Sequence, residues 1–198
     1  MISVYTIKPK FQALLMPILK GLHKLGVSAN MITWTAILLS VGIGVFMYLY
    51  PGKLSLMLLP VSLLVRMALN ALDGMMARMY NMQSKMGEIL NELGDVVSDF
   101  VMFYPIGVLF QLNHSLLITF LFLAVINEYS GILAKAVSNE RRYDGPMGKS
   151  DRALVVGLVS ILVLIFPSLL AYSNYVFFAI CLLLVVSTCV RINKSLKI

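Results

Sequence analysis

Charge is scarce in this chain. Only 13% of its residues are Asp, Glu, Lys or Arg, about half the roughly 25% of an ordinary soluble domain. With 60% hydrophobic residues and a mean hydropathy of +0.89, that scarcity excludes a water-soluble globule. It points to an all-α integral membrane protein. Cysteine is nearly absent as well. Cys181 and Cys189 both lie in one apolar run, which excludes a disulfide framework and a Cys-based zinc site. The two histidines, His23 and His114, stand alone and read as surface residues. No repeat and no low-complexity linker divides the chain. No cleavable signal peptide is expected, because the stretch after Lys8 and Lys10 is broken by Lys20, His23 and Lys24.

What the chain does have is helical periodicity. Phe11, Leu14, Leu15, Ile18, Leu22 and Leu25 recur at helical spacing, with lysines mostly outside that stripe. The pattern predicts an N-terminal amphipathic helix lying on the membrane surface. A spanning helix needs about 20 mostly apolar residues. Six transmembrane helices are expected, at about 31–50, 55–77, 84–112, 115–137, 153–172 and 175–190. The third starts as a polar helix and enters the bilayer near Val96. A single domain over 1–198 is expected: 1–28 as surface helix and lead-in, 29–192 as a six-helix bundle, 193–198 as a cytoplasmic tail.

Lys and Arg orient the bundle. With both termini in the cytoplasm, of sixteen Lys and Arg residues only Lys53 and Arg66 fall away from the cytoplasmic edge. The net charge of +7 is then a basic face against anionic lipid head groups, and no nucleic acid is needed to explain it. The 138–152 loop is the longest on that side.

The nine acidic residues are not spread evenly. Five of them, Asp73, Glu88, Glu92, Asp95 and Asp99, fall within 70–100. Asn70, Asp73 and Ala77 share one helical face; Gly87, Asn91, Asp95 and Asp99 share another. Ionisable groups at membrane depth are costly and mark a site by default. Hard oxygen ligands with little His or Cys suit Mg²⁺, Mn²⁺ or Ca²⁺. Gly74, Ala77 and Gly87 leave room for close approach, and Arg78 is placed to hold a phosphate. Carboxylates, metal and arginine together are what phosphoryl or phosphatidyl transfer uses.

These residues resemble the motif of the CDP-alcohol phosphotransferases, D-x2-D-G-x2-A-R-x8-G-x3-D-x3-D. Asp73, Gly74, Ala77, Arg78, Gly87 and Asp95 match it in register. Asn70 and Asn91 stand where the family has its first and third aspartates. The resemblance implies a membrane enzyme of phospholipid synthesis. A CDP-alcohol such as CDP-diacylglycerol reacts with a small alcohol, and CMP leaves. It further implies Asp95 as catalytic base, and Asn70, Asp73, Asn91 and Asp95 around Mg²⁺ or Mn²⁺. Asp73, Gly74, Ala77, Arg78 and Gly87 would bind the CDP group. A homodimer in the bacterial inner membrane is also implied. Losing two carboxylates weakens the metal site, with Glu92 and Asp99 as candidate compensating acids. Arg66 lies one turn before Asn70 and is expected at the site. Lys149, Arg152, Arg141 and Arg142 could bind an anionic acceptor. Glu128, mid-helix, is expected to pair with Arg66 or to line the acceptor cavity. The G-K-S of 148–150 lacks the first glycine and the strand of a phosphate loop.

Two rival readings remain at this level. One is a catalytically weakened relative that only binds CDP-lipid. The other is a divalent-cation transporter, which needs polar residues in the outer half of the bundle; helices one, five and six are nearly bare there.

Overall fold

The structure, a computed structural model, describes residues 8–197. The start of the 1–28 lead-in, the side chain of Lys8 and residue 198 lie outside the described residues. All regular elements among the described residues are helical. They are α1 (Lys8–Lys24), α2 (Ala29–Leu49), α3 (Lys53–Met79), α4 (Lys85–Phe103), α5 (Ile106–Leu109), α6 (His114–Ser138), α7 (Lys149–Ile165), a 3₁₀ turn (Pro167–Tyr172) and α8 (Ser173–Ser195). The chain is an all-helical integral membrane protein. Among the described residues, four stretches are long and apolar enough to cross a bilayer: Ala29–Leu49, Lys53–Met79, His114–Ser138 and Pro167–Ser195.

Local chemistry sets the helix starts. Ser28 caps α2 by accepting from the Met31 N–H at 3.3 Å, and Ser84 caps α4 by accepting from the Gly87 N–H at 3.0 Å. Glu88 sits in the first turn of α4, where the helix dipole favours an acid. Asn113 caps α6 through the Ser115 N–H, and its own N–H donates to Asn174 Oδ1 at 2.8 Å, tying the start of α6 to that of α8.

Two expected helices are shorter than bilayer length alone suggests. The third, expected through Leu112, breaks at Tyr104–Pro105 into α4 and α5. The fifth, expected to 172, leaves the α conformation at Phe166 (φ −125°, ψ 83°). Each break falls at proline, which removes a backbone donor and disfavours helix in the residue before it. The sixth is longer than expected and takes in residues 193–195 of the expected 193–198 tail.

α2 packs on α3 and α4, α3 on α7, α6 on α8 and α4 on α6. Leu15 and Leu19 of α1 pack over Ile32, Leu72 and Met76, while Leu14, Ile18 and Leu25 stay exposed. Apolar side chains such as Leu38, Leu64, Phe122, Leu158 and Leu182 face outward, and charged ones such as Arg66, Asp99, Glu128 and Arg152 are buried. This inverted distribution suits lipid as the solvent.

Pro60 sits inside α3 and cannot donate to the Leu56 carbonyl. Ser160 of α7, fully buried, donates its hydroxyl to that carbonyl at 2.6 Å. Nearby, a Cβ on Gly157 would stand 3.5 Å from Pro60, so α7 lies close against the proline turn. Ser160→Ala therefore strands a carbonyl in an apolar setting. We expect a loss of about 1–2 kcal/mol, read as a lower midpoint of thermal unfolding in detergent. An unchanged midpoint would show that the proline turn needs no partner.

Candidate active site

A cavity of about 840 Å³ opens between α1, α2, α3, α4 and the amino-terminal end of α7. Asn70, Asp73, Gly74, Ala77 and Arg78 reach it from α3, and Gly87 and Asn91 from α4. The α3 face and the first half of the α4 face read from residue spacing thus meet on one volume, while Asp95 and Asp99, expected on the same α4 face, do not line it. Small residues make the approach possible. A Cβ on Gly87 would lie 2.7 Å from Asn30 Oδ1 of α2, and one on Gly74 would lie 3.2 Å from the Arg78 guanidinium. Arg78 folds back over Gly74 and lines the cavity.

Asp73 is held by Thr33 of α2, whose hydroxyl lies 3.0 Å from Asp73 Oδ2. Asp95 stands behind the wall, only 5% exposed. Asn70 donates its amide to Asp95 Oδ1 at 2.8 Å, Arg66 reaches the same oxygen at 3.5 Å, and Lys149 pairs with Oδ2. Asn70 turns its amide nitrogen to Asp95, which leaves its carbonyl oxygen as an acceptor. The oxygens of Asn70, Asp73, Asn91 and Asp95 are of the hard kind that Mg²⁺ and Mn²⁺ take. With two carboxylates among the four, they suit a divalent ion that also draws ligands from an anionic substrate. Among the described residues no cluster of three or more His, Cys, Asp or Glu side chains forms a metal site by itself.

The other expected residues fall into a buried ion-pair network behind the cavity. Asp99 pairs with Arg66 through one oxygen and with Arg152 through the other, the latter at 2.6 Å. Arg152 also reaches Glu128 Oε1 at 3.1 Å. Arg141 bridges Glu92 at 2.6 Å and Glu128 Oε2 at 3.2 Å. Burial alone would lower the Arg141 pKa; Tyr143, Glu92 and Glu128 outweigh it and hold the guanidinium above its ordinary value. Arg142 points elsewhere, to Glu140. Glu128 lines the cavity, as expected, but its ion pairs run to Arg152 and Arg141, and Arg66 is engaged with Asp99 and Asp95. Both candidate compensating acids, Glu92 and Asp99, are tied to arginines.

Two contributors escaped the sequence. Arg191 near the end of α8, read there only as cytoplasmic charge, is buried. It donates to the carbonyls of Asn127 and of Asp144, the latter at 3.1 Å. Thr33 looked like any polar residue in an apolar helix. A buried arginine in the last turns of a span was the available signal for the first; nothing local marked the second.

Comparison with known proteins bears on the fold and the family. The inner membrane protein YnbA of Escherichia coli (strain K12) is 45% identical over 172 residues, covering 87% of this chain and 86% of that protein. An uncharacterized protein of Aquifex aeolicus (strain VF5) is 35% identical over 102 residues, 52% of this chain and 50% of its own length. Among solved structures, Mycobacterium tuberculosis phosphatidylinositol phosphate synthase (PgsA1) in complex with manganese and citrate superposes with a TM-score of 0.74. That pair is 18% identical, over 91% of this chain and 88% of the synthase. The same enzyme with CDP-DAG bound gives a TM-score of 0.72 at 20% identity, over 91% and 92% of the two chains. At such identities the likeness is one of fold. The model of the CDP-alcohol phosphatidyltransferase family matches residues 26–190. The chain belongs to the CDP-alcohol phosphatidyltransferase family.

Proposed function

We propose that the chain transfers a phosphatidyl, or similarly substituted phosphate, group from a CDP-alcohol such as CDP-diacylglycerol to a small alcohol, releasing CMP. The observation that carries this reading is the seating of Asn70, Asp73, Gly74, Ala77, Arg78, Gly87 and Asn91 on one cavity in a member of this family. CDP-DAG binding by the solved relative of the same fold supports the donor. The test is CMP release by purified protein from CDP-diacylglycerol with a panel of alcohols. Acceptor-dependent release is expected; tight donor binding without release would favour a weakened, binding-only relative.

In this reading the acceptor oxygen bonds to the phosphorus that carries the diacylglycerol. The bond from that phosphorus to the CMP oxygen breaks, and CMP leaves with the electron pair. Asp95 takes the hydroxyl proton; for that, Lys149 yields Oδ2 while Asn70 and Arg66 keep Oδ1 in place. Arg78, laid over Gly74, faces the diphosphate, and the glycines at 74 and 87 leave it room. Asn70, Asp73, Asn91 and Asp95 would hold Mg²⁺ or Mn²⁺, which would neutralise charge on the diphosphate and its leaving group.

The two asparagines make a prediction of their own. Mg²⁺ is held mainly by charged oxygens, so amides at 70 and 91 weaken the attraction. Asn70→Asp combined with Asn91→Asp should move half-maximal activation by Mg²⁺ or Mn²⁺ to lower concentration. A double variant that needs as much metal or more would remove both residues from the ligand set.

The membrane arrangement belongs to the same proposal. The single domain comprises a lead-in and surface helix (1–28), six spans (29–192) and a tail (193–198), with both termini and the 138–152 loop cytoplasmic. α4 with α5, and α7, make up the two spans beyond the four apolar ones. The exposed Leu14 and Ile18 of α1, and Leu25 just after it, enter the inner leaflet. Family resemblance supports a homodimer, and the inner-membrane relative supports a bacterial inner membrane. Cysteine introduced at Ser150 or Lys197 should react with an impermeant maleimide only after the membrane is opened. Labelling of either site in sealed right-side-out cells would reverse the topology.

A further inference from the structure

We infer that the alcohol accepted by this site is an uncharged polyol rather than a phosphate-bearing one. The inference rests on the phosphatidyl-transfer reading above and names its acceptor class.

Three guanidiniums converge on Glu128, which lines the cavity, and such a cluster is where a phosphate-bearing acceptor would be expected to dock. The chain has already supplied their anion. Glu128 lies 3.1 Å from Arg152, 3.2 Å from Arg141 and 4.0 Å from Arg191. Most of the remaining donors are engaged as well, and Arg141 Nε and Arg152 Nε, which are not, are buried. Arg152 holds Asp99 and the Met147 carbonyl, and Arg141 holds Glu92. Arg191 holds the carbonyls of Asn127 and Asp144. Lys149 pairs with Asp95.

The cavity therefore meets Glu128, Lys149 and Arg191 on this wall, with the other two arginines behind it. A phosphate entering here meets the Glu128 carboxylate, beside cations that are already paired with acids of the chain. Seating it on the arginines means pushing Glu128 aside and leaving that carboxylate buried without partners, which is strongly unfavourable. Hydroxyl groups face no such barrier. They donate to the Glu128 carboxylate, and the flanking Tyr143 and Ser150, also on the wall, offer further hydroxyl partners. Like charges set against each other cost affinity heavily, so Glu128 excludes a phosphate as well as selecting hydroxyls.

The test compares four acceptors in neutral–phosphorylated pairs, with the unmodified protein, CDP-diacylglycerol and saturating Mn²⁺. The pairs are glycerol with sn-glycerol 3-phosphate and myo-inositol with myo-inositol 1-phosphate; L-serine is the charged control. CMP release should show kcat/KM higher by roughly tenfold or more for a neutral polyol than for its phosphate ester or for serine. Preference for either phosphate or for serine overturns the inference and leaves phosphatidyl transfer standing. No acceptor-dependent CMP release with any compound overturns phosphatidyl transfer, and the inference with it. Glu128→Gln, checked for folding by thermal unfolding, adds a second readout. The ratio of phosphate to neutral acceptor use should rise about tenfold as the arginines lose their internal anion. A folded variant with an unchanged ratio removes Glu128 from acceptor choice.

Discussion

Asp95→Asn should lower the rate of CMP release by about 10²–10⁴ in a protein that still folds. Asparagine keeps the shape and one acceptor oxygen, so contacts with Asn70 and Arg66 survive in part, but it cannot take the acceptor's proton. Lys149 loses its anionic partner and stays near the cavity, where it can still attract the diphosphate. Substrate affinity should therefore change far less than turnover. A near-normal rate would strip Asp95 of the base role. Few replacements are at hand, because Asp99 is bonded through both oxygens to Arg66 and Arg152 and Glu92 to Arg141.

The largest effect on stability should come from Arg152→Met. Arg152 is fully buried and joins Asp99 of α4 to Glu128 of α6 from α7. Methionine fills much of the space but leaves two buried carboxylates short of a partner. Breaking a buried pair from one side costs about 3–5 kcal/mol. The comparison is Arg142→Met, whose partner Glu140 is exposed and whose loss should cost about 1 kcal/mol or less. Thermal unfolding of both variants in the same detergent separates the cases. Equal midpoints would mean that the network contributes no stability.

These two variants also divide what sequence reading reaches from what it misses. The candidate site's two helical faces were legible because helical spacing is local. Asn70, Asp73 and Ala77 fall on one side of α3, and Gly87, Asn91 and Asp95 on one side of α4, wherever the helices pack. Pairings between helices depend on azimuth and depth, which spacing does not encode. Arg66 was placed near Asn70, yet its partner Asp99 lies a full turn beyond Asp95 on another helix. Glu128 was expected to pair with Arg66 or to line the acceptor cavity; it does line the cavity, but packing of α6 on α8 and α4 brings its carboxylate to Arg152, Arg141 and Arg191 instead of Arg66. Span ends were misjudged for a different reason. Hydropathy measures length in the bilayer and is blind to the backbone, so it ran through Pro105 and Pro167, where the α-helix cannot continue unchanged.

Tracing a single phosphorus atom tests the central claim most directly. CDP-diacylglycerol carrying ³²P only in the phosphate attached to diacylglycerol is incubated with purified protein, Mn²⁺ and glycerol. Phosphatidyl transfer predicts that the label leaves the donor for a new lipid bearing the acceptor, and that the CMP formed is unlabelled. Label recovered only as unreacted donor, as phosphatidic acid whatever the alcohol, or in a water-soluble product would contradict it.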